Sequence, residues 1–344
     1  MATPGPPPSG TGPARSGPAG GPCATDPLLR PLAIGGLRLE RRLFMAPMAG
    51  LTTSAFRRSV RRWGAGLVFT EMISAYGVHY HNRRTLDYFA HREDEHPLGF
   101  QLFGADADVL ADAAGRAVAA GADVVDLNMA CPVRKVVKTG AGAALLAEPD
   151  RAAAIVAAVV AAVEDAAPGR GVPVTVKIRS GLRDGDGLGS RAAPRLAAAG
   201  AAAVCIHPRT AAQLYRGRAD HAVTFALAAA LPVPVIASGD VDGREAALAL
   251  LDGGAAAVML ARGAVGAPWL FAQVLGEAEP SAAGKLEEVR RFAAEVLEEC
   301  GGRGVGHLRQ FWPGFRRHGA LDKALSLQLM QARDEAGLRT LLGL

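Results

Sequence analysis

Val124-Val125-Asp126-Leu127-Asn128-Met129-Ala130-Cys131-Pro132-Val133-Arg134-Lys135-Val136-Val137-Lys138 opens as a short apolar run of strand type and closes on a polar residue, a Cys-Pro pair and three cations. Pro132 has no N–H to give to a ladder, so a strand that includes Asn128 stops there. Most unpaired cysteines are inert buried thiols, and Cys205, in the middle of another apolar run, suits that description. Cys131 does not, because it stands where a buried strand breaks into a loop. Arg134, Lys135 and Lys138 beside it point to an anionic partner. Such cations can lower a thiol's pKa from its reference of about 8.5. A cysteine that donates a proton needs the thiol form, so the cations are expected to face phosphates and not the sulfur.

Seven further runs of the same kind flank this one, at 43–48, 66–72, 98–103, 174–179, 203–207, 233–238 and 257–262. Alanine-rich helical stretches such as 106–120, 150–166 and 191–199 separate most of them. Gly121, Gly200 and the Gly253-Gly254 pair stand where a helix should stop before the next strand. Strands buried on both faces read as unbroken apolar runs. Eight β–α alternations therefore predict a (β/α)8 TIM barrel. A doubly wound open sheet is the rival, but no GxGxxG follows the first run. Barrel chemistry lies at the carboxyl ends of the strands, which makes Met48, Glu71, Gln101, Asn128, Cys131, Lys177, His207, Ser238, Asp240 and Arg262 the candidates.

Outside the barrel, residues 1–27 hold eight prolines and six glycines. They cannot bury enough apolar surface to offset their ordering entropy, so a disordered tail is expected. Beyond Phe271 the alternation ends. Leu286, Val289, Phe292, Ala293, Val296 and Leu297 keep helical spacing, and 301–320 carry four arginines and two histidines without an acid. The organisation expected is a tail (1–27), a barrel (28–279) and a small C-terminal all-helical domain (280–344).

The net charge of +5 favours an anionic partner, though mildly. Four cysteines without CxxC spacing indicate neither a zinc site, a redox dithiol nor a secreted disulfide framework. With no signal peptide and no apolar run of membrane-spanning length, a cytoplasmic protein without metal is expected, and a monomer.

Four other features carry chemistry. Lys177 lies inside an apolar run, flanked by Val176 and Ile178 that point the opposite way. A buried lysine is rarely unpaired, so it is either salt-bridged in the core or set to hold the electron-rich edge of a cofactor. Ser238-Gly239-Asp240 and Ala261-Arg262-Gly263-Ala264 put small residues where barrels bind phosphate. His207-Pro208-Arg209-Thr210, with Tyr215, Gly217 and Asp220 after it, reads as a long polar loop, either plain surface or a substrate loop with His207 at the cofactor. Arg57, Arg58, Arg61 and Arg62, the 134–138 cations and the C-terminal arginines form a recurring basic set that raises the nucleic-acid reading.

Taken together, Ala46-Pro47-Met48-Ala49-Gly50, Thr70-Glu71-Met72, Gln101-Leu102-Phe103-Gly104, Asn128-Met129-Ala130-Cys131-Pro132, Lys177, His207-Pro208-Arg209-Thr210 and Arg262-Gly263 resemble the tRNA-dihydrouridine synthases. The resemblance runs from about Leu43 to Leu325. It implies an FMN-dependent barrel with a helical tRNA-binding domain, using NADPH or NADH to reduce specific uridines. Pro47, Met48 and Ala49 would pass the flavin ring, Gln101 and Lys177 would meet its polar edge, and His207 would lie beside it. Ser238, Gly239, Asp240, Ala261 and Arg262 would hold the ribityl phosphate. Cys131 would be the acid, protonating carbon 5 of an extruded uracil while hydride reaches carbon 6. Asn128, Arg134, Lys135, Lys138 and Arg209 would meet the tRNA. The sequence departs from the family at Ala130, Ser238 and Ala261, where Gly, Asn and Gly are usual, and at His221, where Trp is usual. Two other readings stand beside this one: an FMN barrel acting on a small molecule, and a non-catalytic RNA-binding barrel.

Overall fold

The computed structural model describes residues 26–344. The tail expected to be disordered lies outside the described residues as far as residue 25. Asp26 and Pro27 belong to the folded body, where Asp26 accepts the Leu28 N–H at 2.9 Å and pairs with Arg244 at 2.8 Å.

The predicted barrel is present. Its strands are β1 (Leu43–Met45), β2 (Val68–Phe69), β3 (Leu98–Phe103), β4 (Val124–Met129), β5 (Val174–Gly181), β6 (Ala203–Thr210), β7 (Val235–Ser238) and β8 (Ala257–Leu260). They pair in parallel from β2 round to β8, and β8 returns to β1. The seam between β1 and β2 is closed by a bridge from Phe44 to Leu67, with Gly66 N–H on the Leu43 carbonyl at 2.7 Å and Met45 N–H on the Leu67 carbonyl at 2.9 Å.

Strand alternation sorts the side chains. Val125, Leu127, Val176, Ile178, Val204 and Ile206 join the core beneath the helices, while Phe44, Phe69, Val124, Cys205, Ile236 and Met259 form a separate cluster within the barrel. The antiparallel hairpin of Leu32–Ile34 and Leu37–Leu39 adds Ile34 and Leu39 to that inner cluster and plugs the amino-terminal end. Its turn lies so close to the chain before β5 that a Cβ on Gly36 would sit 2.6 Å from the Gly171 carbonyl oxygen. Toward the carboxyl ends the inward row becomes polar. Gln101 stands opposite Asp126 and Asp126 opposite Thr175; Asn128 stands opposite Lys177, and Arg179 opposite His207.

Two strands differ from expectation. The run at 66–72 yields only Val68–Phe69, and Ile73–Ser74 pairs farther along β3. His207-Pro208-Arg209-Thr210, expected as a loop, continues β6 and is buried. The register with β5 shifts between the His207 and Thr210 pairings, so the missing N–H of Pro208 falls at an irregularity.

Barrel helices include α1 (Ser54–Arg62), α2 (Ala107–Ala119), α3 (Pro149–Ala166), α4 (Leu188–Ala198), α5 (His221–Ala230) and α6 (Arg244–Asp252). The helices beyond are α7 (Ala282–Cys300), α8 (Arg303–Leu308), α9 (Trp312–Arg317), α10 (Lys323–Gln331) and α11 (Glu335–Leu342). Phe292 of α7 packs 6.2 Å from Phe56 of α1 and 4.7 Å from Phe311. Phe315 lies 6.2 Å from Trp269, so the core continues from the barrel into these helices.

That packing corrects one expectation. The arginine row on α1 does not form an anion-facing surface. Arg57 is buried on Glu95 at 2.6 Å, Arg58 meets Asp94 at 2.9 Å, and Arg62 meets Glu295 at 2.9 Å and Glu288 at 3.1 Å. Arg61 donates to the Ala65 carbonyl. Glutamates of α7, more than two hundred residues away in sequence, cover this face and lock the two helices together.

Candidate functional site

At the carboxyl ends of the strands lies a cavity of about 1110 Å³, just above the roughly 300–1,000 Å³ range of small-molecule sites. Pro47, Met48 and Ala49 line it from the loop after β1, and Gln101, Asn128, Cys131 and Lys177 from β3, β4 and β5. His207 and Arg209 of β6, Ser238, Gly239 and Asp240 after β7, and Ala261 and Arg262 after β8 complete the set. Arg134, Lys135 and Lys138 are not in this wall. They are exposed on and just after the short helix Arg134–Val137 that follows the thiol.

The deep side is one hydrogen-bonded chain. The buried Asp126 carboxylate accepts from Thr175 Oγ1 and Gln101 Nε2, each at 2.6 Å. With Nε2 so engaged, Gln101 turns Oε1 toward Asn128 Nδ2 at 2.8 Å. Asn128 Oδ1 then accepts the backbone N–H groups of Ala130 at 3.1 Å and Cys131 at 2.8 Å. Asn128 thus sets the turn that carries the thiol. Burial pushes Asp126 up to about 6, against the two hydrogen bonds and the charge of Lys177. Lys177 itself is 7% exposed yet makes no hydrogen bond or ion pair among the described residues. Of its two alternatives, the salt-bridged core lysine is thereby removed, and its ammonium is free to meet a ligand in the cavity.

Cys131 is half-buried. Burial pushes its thiol up, and a Val133 backbone hydrogen bond and the Arg179 guanidinium pull the other way without prevailing. Burial, Val133 and Arg179 are the causes of this shift, and the cations at 134–138 are not among them. Arg179 donates to the carbonyls of Ala130 at 2.9 Å, Thr210 at 3.0 Å and Leu214 at 2.8 Å. It therefore ties the cysteine turn to the chain beyond β6. His207 is pushed down to about 2 by burial and by Lys177, Arg179, Arg209 and Arg262 around it, so its imidazole is neutral. Arg209 must donate to His207 Nε2, 3.2 Å away, which leaves the proton on Nδ1. The Arg209 guanidinium also holds Asp240 at 2.8 Å and the Gly217 carbonyl at 2.7 Å.

On the far side the wall is made of backbone. Gly239 has φ +106°, and a Cβ there would stand 2.7 Å from His207 Cδ2. Its carbonyl accepts from His221 Nε2 at 2.9 Å, so the histidine that replaces the usual Trp steadies this turn. Gly243, the N-cap of helix α6, gives it no side-chain cap, and Ala246 of its first turn lines the cavity. An unpartnered ammonium at one side and an uncapped helix N-terminus beside Arg262 at the other could hold a ligand with a polar ring edge and an anionic tail.

Sequence reasoning missed Asp126, Thr175 and Arg179 as site residues. The signal was present, since they share the inward parity of Asn128 and Lys177. It also missed Arg317, which reaches the cavity wall from the end of α9, and no local pattern marks that approach. Among the described residues no group of three or more His, Cys, Asp or Glu could hold a metal ion, and no helix is long and apolar enough to cross a membrane.

A closed barrel with a thiol, a neutral histidine and an unpaired lysine around one large cavity at its carboxyl end defines a (β/α)8-barrel enzyme. The model of the Dihydrouridine synthase (Dus) family matches residues 44–313, and the chain belongs to that family. It is 40% identical over 312 residues to the probable tRNA-dihydrouridine synthase 1 of Synechocystis, covering 88% of this chain and 85% of that one. It is 38% identical over 270 residues to tRNA-dihydrouridine synthase B of Pseudomonas aeruginosa, covering 77% and 79%. Among solved structures, the old yellow enzyme homologue of Zymomonas mobilis superposes with a TM-score of 0.51 at 15% identity, over 74% of this chain and 94% of that one. The 6-hydroxypseudooxynicotine amine oxidase of Pseudomonas geniculata gives 0.56 at 17%, over 79% and 52%. These two likenesses are of fold alone.

Proposed function

We propose that this protein reduces uridines of tRNA to 5,6-dihydrouridine, with FMN held in the cavity and NADPH or NADH as the reductant. The observation that carries the reading is Cys131, a half-buried thiol kept protonated on a turn anchored by Asn128, in the same cavity as the unpaired Lys177. FMN, when bound, supplies hydride transfer to carbon 6 of the uracil. Lys177 and Gln101 hold the polar edge of its ring, Pro47, Met48 and Ala49 pass along it, and the neutral His207 lies beside it. Ser238, Gly239, Asp240, Ala261 and Arg262 hold its phosphate, Asp240 through its backbone because its carboxylate is engaged by Arg209.

Cys131 Sγ gives its proton to carbon 5 of the base and recovers one from water. A positioned acid of this kind contributes roughly 10²–10⁴-fold. Asn128 orients the thiol, Arg209 shapes the wall that the base meets, and Arg134, Lys135 and Lys138 meet phosphates outside the cavity. Residues 280–344 serve as the tRNA-binding helices of the barrel (28–279), and Arg317 brings one of their cations to the mouth. The protein works in the cytoplasm as a single chain.

The test is Cys131→Ala. The variant is expected to keep bound yellow flavin and to be reduced by NADPH, yet to lose dihydrouridine formation. Undiminished product would overturn the assignment. Binding of tRNA is expected to weaken steeply with salt, whereas a small uncharged substrate would show no such slope.

A further inference from the structure

The aromatic residues of this chain are divided in an unusual way. None of its eleven phenylalanines or three tryptophans is exposed, whereas all four tyrosines are. Tyr215 lines the cavity already described. The other three lie between β2 and β3, on a segment that leaves the catalytic end of the barrel directly after Met72 of the cavity wall. Tyr76 and Tyr80, one helical turn apart, stack with ring centroids 6.4 Å apart and planes 16° from parallel. Tyr80 is 73% exposed, more than any other large apolar or aromatic side chain described. Two arginines follow at once. Arg83 and Arg84 are exposed, and neither guanidinium has a hydrogen-bond or ion-pair partner among the described residues. From 75 to 89 the one acid is Asp87.

Apart from each other and an edge contact of Tyr80 with His79 at 5.0 Å, Tyr76 and Tyr80 make no ring contact among the described residues, and the segment is already fixed by other groups. Ser74 caps Ala75–His79, Asn82 caps Arg83–Leu86, and His79 bonds Asp112 of α2 at 3.0 Å. Exposed flat rings next to unpaired guanidinium groups match the chemistry of unstacked RNA, whose bases stack on tyrosine and whose phosphates take arginine.

We infer that residues 76–84 form an RNA-docking shelf, where Tyr76 and Tyr80 stack an unpaired base that flanks the nucleotide entering the cavity, and Arg83 and Arg84 take its phosphates. The inference rests on the tRNA reading above and adds where the neighbouring nucleotide is held.

The test is steady-state dihydrouridine formation by the FMN-loaded full chain on unmodified tRNA transcript, with Tyr76→Ala, Tyr80→Ala, Tyr80→Phe and the double variant Arg83→Ala/Arg84→Ala. Each Tyr→Ala change is expected to raise KM for tRNA about tenfold, with kcat at saturating tRNA retained. Tyr80→Phe, which keeps the stacking face, is expected to behave as wild type. The double arginine variant is expected to lower the slope of log KM against log salt by about 1.4, the value for two single-strand phosphates. An active wild type whose KM is unmoved by any of these changes overturns the shelf and leaves the reductase reading standing. A wild type that neither binds tRNA nor forms dihydrouridine overturns both. A Tyr80→Ala protein that differs from wild type in sedimentation without RNA marks the surface as a protein contact and also overturns the shelf.

Discussion

Asp126→Asn is the change whose outcome the structure sets most sharply. The carboxylate is fully enclosed, receives two 2.6 Å hydrogen bonds, and is raised from 3.8 to about 6 by burial. A folded-state pKa above the unfolded one means that the fold holds this proton more tightly. The contribution is therefore complete below 3.8 and is lost as pH rises through about 6. In full it amounts to about 3 kcal/mol, and the part gained between pH 7 and pH 5 is about 1 kcal/mol. Asparagine keeps the shape and an acceptor for Gln101 but cannot titrate. Urea unfolding of wild type and variant near pH 7 and near pH 5 isolates this contribution, because every other titrating group cancels in the difference. Wild type is expected to gain about 1 kcal/mol on the variant as the pH falls. A gap of the same size at both pH values would refute the claim that this carboxylate is held out of water at a desolvation cost.

Three further outcomes follow from the same geometry. Asn128→Ala removes the acceptor shared by the Ala130 and Cys131 N–H groups and the donor to Gln101. Single-turnover dihydrouridine formation is expected to slow by up to about 10²-fold while flavin content is retained, as misplacement of an acid entails. Gly239→Ala puts a Cβ 2.7 Å from His207 at a φ of +106°; a loss of about 1–3 kcal/mol is expected in thermal denaturation, with weaker FMN uptake in fluorescence titration. Glu295→Ala strips one partner from Arg62 while Glu288 remains. Its cost should fall between those of an exposed and a buried pair, about 1–3 kcal/mol in urea unfolding, and should be non-additive with Arg62→Ala.

The barrel was legible because parallel strands buried on both faces write themselves as apolar runs, and because helix-stopping glycines punctuate them. The strand-end residues were legible for the same reason, since the end of such a run is where polar side chains face a ligand. Arg57–Arg62 were misread because a row of cations looks alike whether it meets phosphate or glutamate. The deciding acids, Glu288 and Glu295, arrive from another part of the chain. His207-Pro208-Arg209-Thr210 reads as a loop because proline breaks ladders; the strand tolerates Pro208 at a shift in register that no local pattern announces. Lys177 stayed ambiguous in sequence because pairing is a matter of three-dimensional neighbours. Asp126 was passed over because an acid inside an apolar run carries no sign of the amide and hydroxyl that will surround it.

The hairpin that plugs the barrel floor has a consequence for traffic. With Ile34 and Leu39 packed into the inner cluster at the lower end, the cavity described above opens at the rim, where Cys131 and Arg317 stand. A nicotinamide and a folded RNA that both approach this rim compete for it, and excess of either should slow the other.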